Sequence, residues 1–304
     1  MNTQINIAGL KLKNPVLVAS GTFGYAKEFS PYLNLKKLGG IITKTITPKP
    51  WQGNPSPRVV ETASGMLNAI GLQNEGIDKF LDEKMPFLRS LGVPIIVSIG
   101  ADNIDEYAKL AKILDKTKGV AALELNISCP NIKGKERLVS QDKEETYQLV
   151  KKVRASTKKT IITKLSPNVT DIVEIARAAE DAGSDALSLV NTFLGMSIDI
   201  DTKSPTLGNV TGGLSGAAIK PLALRMVWQV VKNIGIPVIG MGGIMNASDA
   251  VEFIIAGASA VCVGTANFSD PSVSLKIIQG IEDYLKKDKI NDIKSLIGCL
   301  KTNP

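Results

Sequence analysis

Short runs of apolar, often β-branched residues recur along this chain, and stretches with helical spacing separate them. The runs fall at residues 15–19, 40–44, 94–98, 122–126, 160–164, 186–190, 237–240 and 260–264. Continuous apolar runs of this length suit parallel strands covered on both faces, not the alternating strands of a half-exposed sheet. Between them, residues 102–114 place apolar side chains at helical spacing behind an Asp or Asn cap. Residues 170–183 open with Thr and close on Gly, and residues 247–257 follow the same plan. Both run into an Ala-Gly-small-polar-Ala join that leads to the next apolar run. Eight such repeats predict a (β/α)8 barrel filling residues 1–304 as a single α/β domain. A doubly wound open sheet is the alternative; it would normally carry a G-x-G-x-x-G turn after its first strand, and none is present. Two connections are long for a barrel, from Thr45 to about Gly76 and from Asn191 to about Lys220. Both leave the carboxyl ends of strands, where barrel active sites lie, so both are expected to be functional.

Composition narrows the classes. At 304 residues and 44% hydrophobic, the chain can build one large core. Its three cysteines, at 129, 262 and 299, form no C-x-x-C pair and no disulfide framework, which predicts a reducing, cytoplasmic setting. The first residues lack a basic region followed by an apolar core, so no signal peptide is expected, and no apolar run approaches the roughly 20 residues of a membrane span. The formal charge of +7 comes from lysines scattered among acids, and aromatics are only 5%. Nucleic-acid binding would want a concentrated basic face with interleaved aromatics, so the charge is read as a solvated surface with some attraction for small anions.

The candidate chemistry clusters at strand ends. Asn126-Ile-Ser-Cys129-Pro-Asn131 follows the fourth apolar run and places a thiol among carboxamides just outside a strand. The chain contains no histidine, so a base working near neutral pH must come from Cys, Lys, Asp, Glu or Tyr, and Cys129 is the candidate. The bland alternative is a small buried hydrophobe, but polar neighbours and Pro130 favour a loop. Other strand ends carry Ser20-Gly21-Thr22, Lys44, Lys164 and Asn191-Thr192. A lysine closing an apolar strand is costly without a counter-charge. Either lysine alone could snorkel or form a salt bridge; two at one mouth point to an anionic ligand or an electron-rich ring. Strands seven and eight end in Gly242-Gly243 and Gly264-Thr265, and Thr211-Gly-Gly-Leu-Ser-Gly216 adds a third glycine-rich turn. Loops after strands seven and eight of barrels commonly hold a phosphate with backbone N–H groups. Phosphate grip, two lysines and a thiol base together suit FMN chemistry. No metal site is expected.

With these residues in view, the chain resembles class 1 dihydroorotate dehydrogenases over nearly its whole length. The resemblance is carried by Gly53-Asn-Pro-Ser-Pro-Arg58, by the run from Glu61 to Asn74, by the Cys129 motif, by Lys164-Leu-Ser-Pro-Asn168, by the 211–216 segment and by Ile239-Gly-Met-Gly-Gly-Ile244. The run from Glu61 to Asn74 resembles the NAD-linked subclass, 1B, more than the fumarate-using one. The resemblance implies that Cys129 takes a proton from C5 of dihydroorotate while the flavin takes hydride from C6. It further implies that Lys44, Asn68, Ala69, Ile70, Gly71, Leu72, Asn126, Asn191 and Thr192 hold substrate. FMN, one per chain, is implied to meet Ser20, Lys44, Thr45, Ser98, Asn126, Lys164 and Val190, with Gly216, Gly242, Gly243, Gly264 and Thr265 around its ribityl phosphate. Position 98 departs from the pattern: Asn is expected there, and serine has a shorter reach.

In the NAD-linked subclass such a chain is the catalytic subunit, and an electron-transfer partner carries FAD and a [2Fe–2S] cluster. A homodimer within a heterotetramer is implied by the same resemblance. The cysteine count agrees, because a cluster wants four thiolates and only three cysteines exist here; no dinucleotide fingerprint is present either. Remaining alternatives are a stand-alone fumarate-using enzyme, a dihydropyrimidine dehydrogenase-type enzyme and a non-enzymatic flavin- or phosphate-binding barrel. The lysine-rich segment from Ser128 to about Asp142 is expected to act as a lid over the substrate.

Overall fold

A computed structural model of the chain describes residues 1–128 and 139–302. Eight parallel strands close into a barrel: β1 (Val16–Val18), β2 (Gly40–Ile42), β3 (Ile95–Ile99), β4 (Val120–Asn126), β5 (Thr160–Lys164), β6 (Ala186–Leu189), β7 (Val238–Met241) and β8 (Ala260–Val263). Each strand pairs with its sequence neighbours and β8 returns to β1. All eight apolar runs of the sequence are therefore strands, and the open-sheet alternative falls. Their side chains are almost wholly buried because the barrel interior takes one face and the surrounding helices the other.

The helices form where the sequence supplies a cap and an apolar stripe. Ile104–Asp115 buries Tyr107, Ala108, Leu110, Ala111 and Leu114, which follow one face of a 3.6-residue period. Its cap, Asn103, accepts from Glu106 N at 3.0 Å, a contact whose loss costs about 1 kcal/mol. Asp142 caps Lys143–Arg154, and Asn246 caps Ala247–Ile255. The helix Ile172–Asp181 starts one residue later than its sequence implies. Asp171, rather than Thr170, is its cap, because the Asp171 carboxylate reaches Val173 N at 2.8 Å. Gly183 and Gly257 close their helices with φ of 97° and 116°.

The repeat is imperfect at its start. The β1–β2 connection contains no α-helix, only the 3₁₀ turns Lys27–Phe29 and Leu35–Lys37. Phe23 and Phe29, stacked with ring centres 4.0 Å apart, fill part of that space. At the amino end of β2, Leu12 from the hairpin Ile5–Ile7/Leu10–Leu12 lies beside Gly40. The two long connections leave the opposite end. Each contributes two short strands to one antiparallel sheet ordered Phe193–Met196, Thr211–Ser215, Gly65–Asn68, Val59–Thr62, and the second also carries a separate two-residue pair, Ile198–Asp199 with Ser204–Pro205. Segments nearly 150 residues apart thus build one wall beside the barrel mouth, with Asn68 opposite Gly213.

Candidate active site

The site begins with that added sheet. Gly212 and Gly213 let it close: a methyl on Gly213 would fall 2.0 Å from Thr192 Oγ1, and one on Gly212 2.8 Å from Asn68 O. The segment 211–215 is therefore a strand that packs on two predicted substrate residues, not the glycine-rich turn its composition suggests. Only Gly216, with φ 97°, turns the chain, and it does so against Gly65.

The motif from Gly53 to Arg58 acts as a clamp on the adjacent loop. Arg58 donates to Asn54 O, to Gln52 O and to Gln73 Oε1. Asn54 in turn donates to Ala69 O and Ile70 O, each at 3.1 Å. Gly71 and Leu72 follow with φ of 70° and 55°, and Asn74 holds Leu72 O at 2.7 Å. Five predicted substrate residues, 68–72, are thereby fixed, with Asn68 and Ile70 lining the pocket.

A buried polar chain supports the barrel mouth. Thr45 Oγ1 lies 2.9 Å from Ser98 Oγ and accepts from Asn126 Nδ2 at 3.1 Å. Asn191 Nδ2 reaches Asn126 Oδ1 at 3.4 Å, and Asn191 Oδ1 accepts from Thr192 N. Tyr107 anchors Asn126 from outside through its carbonyl, at 2.8 Å. Ser98 has no exposed surface, so it stands behind Thr45 and acts on the pocket through it. The shorter reach of serine at this position is met by a threonine partner.

The pocket itself is lined by Lys164, Val190, Asn191 and Thr192 together with Gly216, Gly242, Gly243, Gly264 and Thr265. The Leu189–Val190 peptide within this wall is cis. The backbone N–H groups of Gly243, Ile244, Gly264 and Thr265 find no acceptor among the described residues. A methyl on Gly264 would meet nothing nearer than Ala19 Cβ at 3.8 Å, and one on Gly21 nothing within 4 Å. Open space beside unpaired donors is the cradle that a phosphate-bearing cofactor requires. The residues thus fit the phosphate end of a flavin nucleotide. Thr265 Oγ1 is held by Ser215 Oγ at 2.8 Å, which ties the cradle to the added sheet.

The two lysines sit differently. Lys164, at the end of β5, is buried and donates to Ser20 Oγ at 3.3 Å. Lys44 lies two residues past β2, partly exposed, and its ammonium has no hydrogen-bond or ion-pair partner among the described residues. Burial pushes its ammonium below the ordinary lysine value; the neighbouring Arg58 pushes the same way and Glu28 opposes. Such a lysine gains most from an arriving anion.

Two expectations lie outside the described residues: Cys129, and the lid drawn from most of the segment Ser128 to Asp142. Ser128 itself is buried and hydrogen-bonds Lys164 O at 3.3 Å, which places the beginning of that segment at β5. The sequence reading missed part of the wall. Met66, Ile219, Met241 and Phe268 are apolar liners that carry no chemical signature, and Thr22 and Cys262 line the pocket as well. Thr22 was signalled by its place in the strand-end tripeptide. Among the described residues no helix is long and apolar enough to cross a membrane.

The dihydroorotate dehydrogenase family model matches residues 2–285. A protein of Geotalea uraniireducens named dihydroorotate dehydrogenase B (NAD(+)), catalytic subunit, is 57% identical over 298 residues, covering 98% of each chain. Proteins of the same name from Geotalea daltonii and Bacteroides thetaiotaomicron are 58% and 52% identical, each over 297 residues and 98% of this chain, covering 97% and 98% of their own lengths. The barrel, the glycine cradle and near-full-length identity above one half lead to one assignment: this chain belongs to the dihydroorotate dehydrogenase family.

Proposed function

We propose that this chain is the catalytic subunit of an NAD-linked dihydroorotate dehydrogenase, oxidising dihydroorotate to orotate in pyrimidine biosynthesis. The observation that carries the reading is the meeting, in one pocket, of Asn68, Asn191 and Thr192 with Lys164 and the glycine cradle. Three carboxamides at one barrel mouth (68, 126 and 191) can donate to a carboxylate and exchange paired hydrogen bonds with ring amides. Lys44 adds a cation that favours the anionic substrate. Asn126 is held by Thr45 and Tyr107, so its amide is oriented before substrate arrives.

FMN, when bound, supplies the hydride acceptor. Its phosphate would be held by the backbone around Gly243, Gly264 and Thr265, and its ring by Lys164, Ser20 and Val190. Cys129 is proposed as the base that removes the C5 proton, on the strength of its motif and the lack of any histidine. The apolar liners Met66, Ile219 and Phe268 would keep water from the reacting atoms.

Electrons are proposed to leave through a partner subunit carrying FAD and a [2Fe–2S] cluster, in a heterotetramer built on a barrel dimer. The names of the relatives, which specify NAD(+) and a catalytic subunit, favour this over the fumarate-using reading. The test is to purify the chain with and without its co-expressed partner and to assay dihydroorotate oxidation with dye, fumarate and NAD. The chain alone should reduce dye and fail with NAD, and the partner should restore NAD reduction. Efficient turnover with fumarate and no partner would refute the subclass.

A further inference from the structure

The barrel interior behind the pocket holds an acid that the chemistry above leaves unused. Glu124 lies within β4, fully buried, two residues before Asn126 and therefore on the same inward face. Ser188 of β6 donates to its Oε2 at 3.1 Å, while Oε1 is buried with no hydrogen-bond partner among the described residues. Strand register places Lys164 between Asn126 on one side and Ser188, the donor to Glu124, on the other. Among the described residues, the Lys164 ammonium hydrogen-bonds only a neutral hydroxyl, Ser20 Oγ. Cys262, on β8 and in the pocket wall, responds to both charges. Burial pushes its thiol up, the Glu124 carboxylate pushes it further, and the Lys164 ammonium pulls it down. A carboxylate and an ammonium thus lie buried on adjacent strands with Ser188 beside both, and neither has an ion-pair partner within 4 Å among the described residues. Buried charges persist when they compensate one another.

We propose that Glu124 is the buried counter-charge of Lys164 and a positioning residue of the flavin site, fixing that ammonium in the pocket wall and setting the electrostatic potential there. This rests on the flavin reading above. Its consequence is specific: a fixed negative charge behind the wall disfavours the electron-rich, reduced form of a bound flavin relative to the oxidised form.

The test compares FMN-loaded wild type, Glu124→Gln and Glu124→Asp by equilibration with redox dyes at one pH, with FMN affinity measured alongside. Glu124→Gln keeps the shape and removes the charge. It should favour reduced over oxidised flavin by at least tenfold, a rise of about 30 mV for a two-electron couple. Glu124→Asp keeps the charge and should stay within threefold of wild type. An unchanged or lowered potential in Glu124→Gln would overturn the proposal, and so would an equal shift in Glu124→Asp, which would reveal a role of shape alone. If Glu124→Gln does not fold, Glu124→Gln with Lys164→Gln decides. Recovery of a folded barrel supports the pair; continued misfolding overturns it. Failure of the wild type to bind FMN would refute the flavin reading itself, and is distinguishable from all of these.

Discussion

Two glycines at the cradle should separate the fold from the cofactor site. Gly243 has φ 74°, and a methyl there would lie 2.7 Å from both Lys220 N and Lys220 Cβ. A left-handed conformation costs a non-glycine residue about 1–2 kcal/mol and overpacking adds roughly 1–3, so Gly243→Ala should lose about 2–5 kcal/mol of stability. That is a large share of the ~5–15 kcal/mol of a typical domain. Gly264 differs on both counts. Its φ lies outside the left-handed region, and its added methyl would meet Ala19 and Thr22 only at 3.8 and 4.0 Å. Gly264→Ala should therefore leave the flavin-free protein within about 0.5 kcal/mol of wild type. The same methyl occupies space beside the free N–H groups. Losing one hydrogen bond to a charged group, about 1.5–3 kcal/mol, would weaken FMN binding roughly 10- to 100-fold. Urea unfolding without and with saturating FMN, together with FMN titration, measures both quantities. The argument fails if Gly264→Ala binds FMN as wild type does, or if it unfolds the flavin-free protein as strongly as Gly243→Ala.

Cys129→Ala should retain FMN and bind orotate yet reduce the flavin about 10²–10⁴-fold more slowly in stopped-flow, and near-normal reduction would remove the thiol from the reaction. Thr45→Val strands the Asn126 amide and the Ser98 hydroxyl, so it should cost about 1–3 kcal/mol in chemical denaturation and weaken substrate binding, whereas Ser98→Ala should cost less. Orotate affinity should fall as pH rises through the lowered value of Lys44, and Lys44→Met should flatten that dependence in a binding titration from neutral to alkaline pH. In the same window the unfolded chain holds the Lys44 proton more tightly than the fold does. The contribution of this group to stability should therefore rise with pH until the ordinary lysine value is passed.

What the sequence disclosed and what it hid follow one physical division. Barrel strands buried on both faces must be apolar throughout, so all eight runs were visible, and the polar residues that end or directly follow several of them were visible by contrast. Asn126, Lys164 and Asn191 belong to that class. The added sheet was hidden because the two strands that meet hold glycine where β-branched residues would signal a strand. Their pairing is also non-local: Gly213 meets Asn68 across some 145 residues, a relation no local pattern encodes. Glycine at 212 and 213 reads as a turn from composition, yet its use is close approach to Thr192 and to the Asn68 backbone. Met66, Ile219 and Phe268 were hidden for a different reason, since an apolar side chain at a pocket wall looks like one in a core. Glu124 marks the remaining limit. Inside an apolar strand it reads as one tolerated acid, and its meaning appears only when closure of the barrel brings Ser188 to one oxygen, leaves the other without a partner among the described residues, and sets Lys164 beside Ser188.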